Sequence, residues 1–142
     1  QVTAIVREVR DSIAAVRPGI ELSAAVLADT LTAFRRNRQP WSAWLRDGLL
    51  DRAYAMCYAP VVQTVLQQLA AMSSQVGTLR LVPGIAIYNT SPSTAAAKIR
   101  GARELGFKTV ALYSYDSLWE QQDLWDRLRS FLLAPRSPEE TP

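Results

Sequence analysis

The chain has 142 residues and 15.8 kDa, with 49% hydrophobic and 20% charged residues, a composition that suits one globular domain and excludes disorder over most of its length. It carries 16 Lys+Arg against 13 Asp+Glu, for a net charge of +3, and no His. That excludes His-dependent triads and His-based metal sites, and a single Cys (Cys57) excludes an internal disulfide framework and a Cys-rich zinc site, so no metal or other cofactor is expected.

The predicted elements alternate along the chain. Ile5, Val9, Ile13 and Val16 are spaced four, four and three apart, which predicts one helix face over Val2 to Val16. Pro18-Gly19 ends that helix, and Ile20 to Val26 is the first predicted strand. Asp29 to Pro40 is polar and reads as a long loop with one helical turn at most. It holds Arg35, Arg36 and Arg38, the only tight basic cluster. A nucleic-acid surface needs a basic stripe interleaved with aromatics, so this cluster reads as solvated and no nucleic-acid partner is expected. Pro40 opens a short helix with Trp41, Trp44 and Leu45 on one face, and Gly48 stops it.

Arg52 to Tyr58 is the second strand, and Pro60 to about Ser74 the following helix, with Val61, Val65, Leu66, Leu69 and Met72 as its stripe. Arg80 to Tyr88 is the third strand. Pro83 within it points to an edge position or a bulge. Gly84 marks either that bulge or a close approach of a ligand or a neighbouring backbone. Ser91 to Thr94 caps a helix over Ala95 to Leu105, and Thr109 to Ser114 is the fourth strand. A last helix is predicted over Trp119 to Leu133, followed by a Pro- and Glu-rich tail, Ala134 to Pro142, expected to be disordered. No apolar run reaches 18 residues, so no membrane span is expected.

Strand starts near 20, 52, 80 and 108 repeat at βα spacing. The strands are near-continuous apolar runs, which predicts a parallel sheet buried on both faces. The fold class is therefore α/β, built of parallel βα units over residues 1–133. Two architectures fit: the C-terminal half of a (β/α)8 TIM-type barrel, or a small open α/β sandwich complete in itself. A half barrel has two open edges, to be met by the missing half or by a second copy.

Ligands of such sheets meet the carboxyl ends of the strands. Those ends offer Ala25 to Asp29, Met56 to Tyr58, Ile87 to Asn89 and Tyr113 to Asp116. They hold aromatics, amides and two carboxylates but no Lys or Arg, a set suited to carbohydrate rather than phosphate. Asp29 and Asp116 are the weak catalytic candidates, since glycoside hydrolysis uses two carboxyl groups. Each could instead cap the helix that follows it. No dinucleotide or phosphate loop is present. Cys57 lacks an activating His and reads as a buried inert thiol.

The stretch Gln39-Pro40-Trp41 through Trp44, Gly48, Asp51, Met56 and Tyr58 resembles the Q-D-W-x-x-W-x-x-x-G-x-[VIL]-D-x-x-x-P-M-x-Y pattern of the glycosyl hydrolase-like 10 family, bacterial glycosidase-type proteins with a (β/α)8 barrel. Arg17-Pro18 to Ser23 is similar to that family's K-P-x-x-x-x-S fifth strand, Gly84 to Tyr88 to its G-[IL]-x-x-Y seventh, and Leu112 to Tyr115 to its x-F-S-Y eighth. Pro40 and Ala55 depart from the pattern, which has Asp and Pro there. The resemblance covers residues 1–119 and implies the C-terminal half of a carbohydrate-active barrel, in a bacterial secreted or envelope setting. It further implies that Ser23, Tyr58, Tyr88 and Tyr115 line a sugar cleft with Asp116 as a polar contact. The fourth-strand acidic residues would then lie upstream of Gln1, so the isolated chain is expected to be inert. The other reading is a non-catalytic α/β binding or interaction module.

Overall fold

The computed structural model describes residues 1–121 and 123–134. Among them the order is α1 (Val2–Val16), β1 (Ser23–Leu27), α2 (Thr30–Asn37), α3 (Trp41–Arg46), β2 (Arg52–Cys57), α4 (Val62–Val76), β3 (Leu81–Ala86), α5 (Pro92–Glu104), β4 (Ala111–Tyr113), α6 (Tyr115–Glu120) and α7 (Leu124–Leu133). The expected disordered tail beyond Ala134 lies outside the described residues.

The four strands form one open, all-parallel sheet in the order β1-β2-β3-β4. The chain is thus an α/β fold of successive βα units. Every strand neighbours its predecessor, so no switch point divides the sheet. Right-handed crossovers then bring all the connecting helices to one side. The burial pattern follows this rule. Ala53, Ala55 and Cys57 of β2 are buried, as are Val26 of β1 and Leu81 and Ile85 of β3. They pack with Trp41, Trp44 and Leu45 of α3, Val65, Leu69 and Met72 of α4, and Ala95, Ala96 and Ile99 of α5.

The other face is bare. Ser23 and Ala25 of β1 are exposed, and Tyr54 of β2 and Tyr113 of β4 are 38% and 50% exposed. The expectation of a sheet buried on both faces therefore fails outside the central strand. β2 alternates small residues toward the helices with Tyr54 and Met56 toward the bare side. Only β3 is buried throughout, because Val82 and Ala86 stand between taller neighbours.

Pro83 occupies neither an edge nor a bulge. β3 is central, and its register with β2 runs one to one from Ala53↔Leu81 to Cys57↔Ile85. Arg80 O accepts from Ala53 N on the β2 side, and Ile87 N donates to Tyr113 O on the β4 side. By alternation, the nitrogen of Pro83 faces β4, whose pairing begins only at Gly84↔Ala111. The absent N–H removes no ladder bond.

The region read as a polar loop contains α2, which Asp29 caps by accepting from Thr32 N at 2.5 Å. Arg35 and Arg36 fall in its last turn, where cations complement the helix dipole. Gln39 Oε1 accepts from Leu27 N, and Trp41 Nε1 donates to Leu27 O at 3.0 Å, so this connection ties off the end of β1. α1 is held by Trp44 Nε1, which donates to Thr3 Oγ1 at 3.0 Å, and by the Arg10–Asp51 ion pair. Asp51 also accepts from Leu22 N at 2.7 Å. The single last helix expected over Trp119 to Leu133 is instead two helices, α6 and α7. No helix among the described residues is long and apolar enough to cross a membrane.

Candidate functional site

The carboxyl ends of β2, β3 and β4 bring three tyrosines together on the bare face. Tyr58 and Tyr113 stack with ring centroids 4.9 Å apart and planes 17° apart. Tyr88 meets both edge-on, at 6.4 Å from Tyr58 and 6.0 Å from Tyr113. β3 lies between the two stacked rings, so the stack must cross it. It can do so because β3 offers only Gly84 and Ala86 there. A Cβ added at Gly84 would sit 3.1 Å from Ala55 O and 3.5 Å from Tyr58 Cε1. Gly84 thus marks the close approach of a neighbouring backbone, that of Ala55, and of the Tyr58 ring, not a bulge.

The main chain beneath Tyr58 is clamped twice. Asn89 Nδ2 donates to Tyr58 O at 2.9 Å, and Lys98 Nζ donates to Ala59 O at 2.8 Å. Lys98 comes from α5 and is fully buried, which pushes its pKa down. Partial burial pushes the Tyr58 phenol up, reinforced by Tyr113 and Tyr88. The tyrosine wall is an apolar surface edged with hydroxyls. Cys57, one residue earlier, faces the helices. Burial pushes its thiol from 9.0 up to about 12, so it is inert toward ordinary nucleophilic chemistry.

The candidate residues divide by position. Tyr58 and Tyr88 lie in the cluster. Tyr115 does not: it sits on α6, 71% exposed, stacked on Trp119 at 6.4 Å. Tyr113 takes its place, because the two-residue period of a strand keeps Tyr113 on the same face as Ala111 and Gly84. Ser23 is paired with Arg52 at the amino end of the sheet. Six residues of β2 separate that level from Tyr58, roughly 20 Å at strand rise, so Ser23 lies away from the tyrosine cluster.

The two carboxylates are not brought together either. Asp29 follows β1 and Asp116 follows β4, the two edges of the sheet. Three strand spacings put them on the order of 14 Å apart, beyond the ~6.5–9.5 Å used for inversion. Asp29 is engaged as the α2 cap, and its hydrogen bonds from Thr32 hold its carboxyl below the usual range. Asp116 is exposed in the first turn of α6, whose cap residue is Ser114; it does not start the last helix. Among the described residues no three His, Cys, Asp or Glu side chains are grouped to hold a metal ion.

A hollow lined by Arg10, Arg17, Glu21 and Asp51 opens at the other end of the sheet, beside α1. The Arg10–Asp51 pair lies in its wall, and Asp51 is held below the usual carboxylate range by Arg10 and by Leu22 N. That hollow belongs to the joint between α1 and β1, not to the tyrosine wall. No protein-family model matches the chain, and no curated protein is significantly similar to it.

Proposed function

We propose that this chain binds carbohydrate on the Tyr58–Tyr88–Tyr113 wall, as the C-terminal half of a (β/α)8 glycosidase-type barrel, and does not hydrolyse it on its own. The observation that carries the reading is the wall itself: three aromatic rings, fixed by Gly84, Asn89 and Lys98, at the carboxyl ends of a sequentially ordered parallel sheet. Flat apolar rings bordered by hydroxyls match the faces and rims of pyranose sugars, and the Lys beneath the wall, Lys98, is buried and engaged with Ala59 O rather than offered to a phosphate. The resemblance of the Trp41–Tyr58 stretch to the glycosyl hydrolase-like 10 pattern supports the same substrate class. The separation of Asp29 from Asp116 supports the lack of hydrolysis.

The test is titration with cellohexaose, chitohexaose and maltohexaose, followed by aromatic fluorescence and by release of reducing ends. Saturable quenching by one of them without new reducing ends is the expected result. Quenching by none overturns the carbohydrate reading. Reducing ends released by the chain and lost in Asp29→Asn or Asp116→Asn overturn the non-catalytic part. The wide spacing of the carboxylates also favours a second reading, a non-catalytic interaction module, which predicts no response to any of the sugars.

A further inference from the structure

We propose that this chain pairs with a second copy of itself into a two-fold, closed ring of eight parallel strands. The proposal puts a second copy in place of the missing barrel half of the carbohydrate reading and leaves the tyrosine wall as it stands. It rests on surfaces left without a neighbour at the two flanks of the sheet.

The first is the free edge of β1. Leu22 O accepts from Asp51 N and Arg52 N, on the β2 side. Alternation turns the main-chain groups of Ser23, Ala25 and Leu27 the other way. Those of Leu27 are taken by Gln39 and Trp41. Those of Ser23 and Ala25 form the open edge. β4 is the opposite edge among the described residues. Such edges are templates for pairing with another chain.

The flanking helices repeat the pattern. α1 precedes β1, and one side of its apolar stripe is held toward Trp44 and Asp51. On the adjoining side, Ile5, Val9 and Val16 are 60%, 42% and 86% exposed. α7 follows β4 and buries Leu124 and Leu128, while Trp125 and Leu133 remain 48% and 73% exposed. When β4 of one copy meets β1 of its partner, α7 of the first meets α1 of the second. A two-fold rotation makes both contacts at once.

These five side chains and Tyr54 leave roughly 700 Å² uncovered in each copy, at about 200 Å² for a fully exposed large apolar residue. Two strand-edge pairings add to that. A stable interface takes about 800 Å² per partner. Closure at two copies follows from strand number, since eight strands give an interior that side chains just fill. Tyr54, Met56 and Val82 supply that filling. Closure also sets the partner's tyrosine wall across the mouth from the first.

Sedimentation equilibrium of the 142-residue chain across micromolar concentrations tests this. The expected mass is twice 15.8 kDa. The double variant Val9→Glu, Val16→Glu should sediment at the single-chain mass with its circular dichroism unchanged. Should it fail to fold, Ala25→Pro serves instead: it blocks the open edge at a residue whose N–H points outward. A wild-type monomer throughout overturns the proposal, and so does a mass that keeps growing with concentration. A dimer unchanged in a folded variant overturns the assigned contact.

Discussion

The two faces of the sheet are made by the same strands and behave in opposite ways. Toward the helices, β2 presents Ala53, Ala55 and Cys57, small side chains that let α3 and α4 approach closely, and these are buried. Toward the other side it presents Tyr54, Met56 and Tyr58, large side chains that no helix covers among the described residues. One face is spent on stability. The other leaves large side chains without a helix over them among the described residues. The difference shows that alternation along a parallel strand, not its overall apolarity, tells which face the chain covers for itself.

Substitutions on the two faces should separate most widely in stability. Ile85→Ala removes a fully buried side chain from the helix-covered face and should cost about 2–5 kcal/mol. Met56→Ala, half-buried on the bare face of the adjacent strand, should cost about 1 kcal/mol or less. Urea midpoints measure both, and equal losses would erase the distinction between the faces. Gly84→Val sharpens it from the middle of the sheet. The new side chain meets Ala55 O and the Tyr58 ring and should cost about 1–3 kcal/mol, with the Tyr58–Tyr113 stack broken as seen in ring-shifted proton resonances.

Cys57 gives a pH signature to the covered face. Its folded pKa is raised, so its contribution is whole below 9.0 and is lost as pH climbs toward 12, because the unfolded thiol ionises first. The loss should reach about 2 kcal/mol by pH 10.5, at 1.36 kcal/mol per unit. Lys98, pushed down by burial, works in the opposite sense at and below its ordinary 10.5. The comparison is therefore between wild type and Cys57→Ala, whose stability curve should be flatter above pH 9.0. At the amino end of the sheet the effect is smallest. Asp51 is about a third exposed, and Asp51→Asn should cost about 0.5–1 kcal/mol at neutral pH. Its folded pKa is lowered, so this difference should vanish on acidification below the ordinary value of 3.8, which thermal melts between pH 7 and 2.5 would follow.

Much of the fold is legible in local pattern. The spacing of Ile5, Val9, Ile13 and Val16 places α1 over Val2 to Val16, and the βα rhythm places all four strands. What escapes has a physical cause. α2 hides because Ala33 is its only buried residue, so no apolar stripe marks it; the capping Asp29 was the available signal. The bare face hides because β3 is buried on that side too, by the taller side chains of its neighbours rather than by helices. Tyr113 and Tyr115 share strand parity, and only the end of β4 at Tyr113 and the start of α6 at Tyr115 separate them. Lys98 is invisible in sequence, since its partner Ala59 is 39 residues away. The carboxylates read as candidates on position alone, and the sheet order then sets them on opposite edges.

The most direct test of the account is calorimetric titration of wild type, Tyr58→Ala and Tyr115→Ala with whichever hexasaccharide quenches the wild-type fluorescence. Tyr58→Ala should weaken binding by at least about tenfold, or 1.4 kcal/mol, and Tyr115→Ala should leave it nearly unchanged. Equal affinity for all three proteins, or a loss confined to Tyr115→Ala, would contradict a binding wall at the ends of β2, β3 and β4.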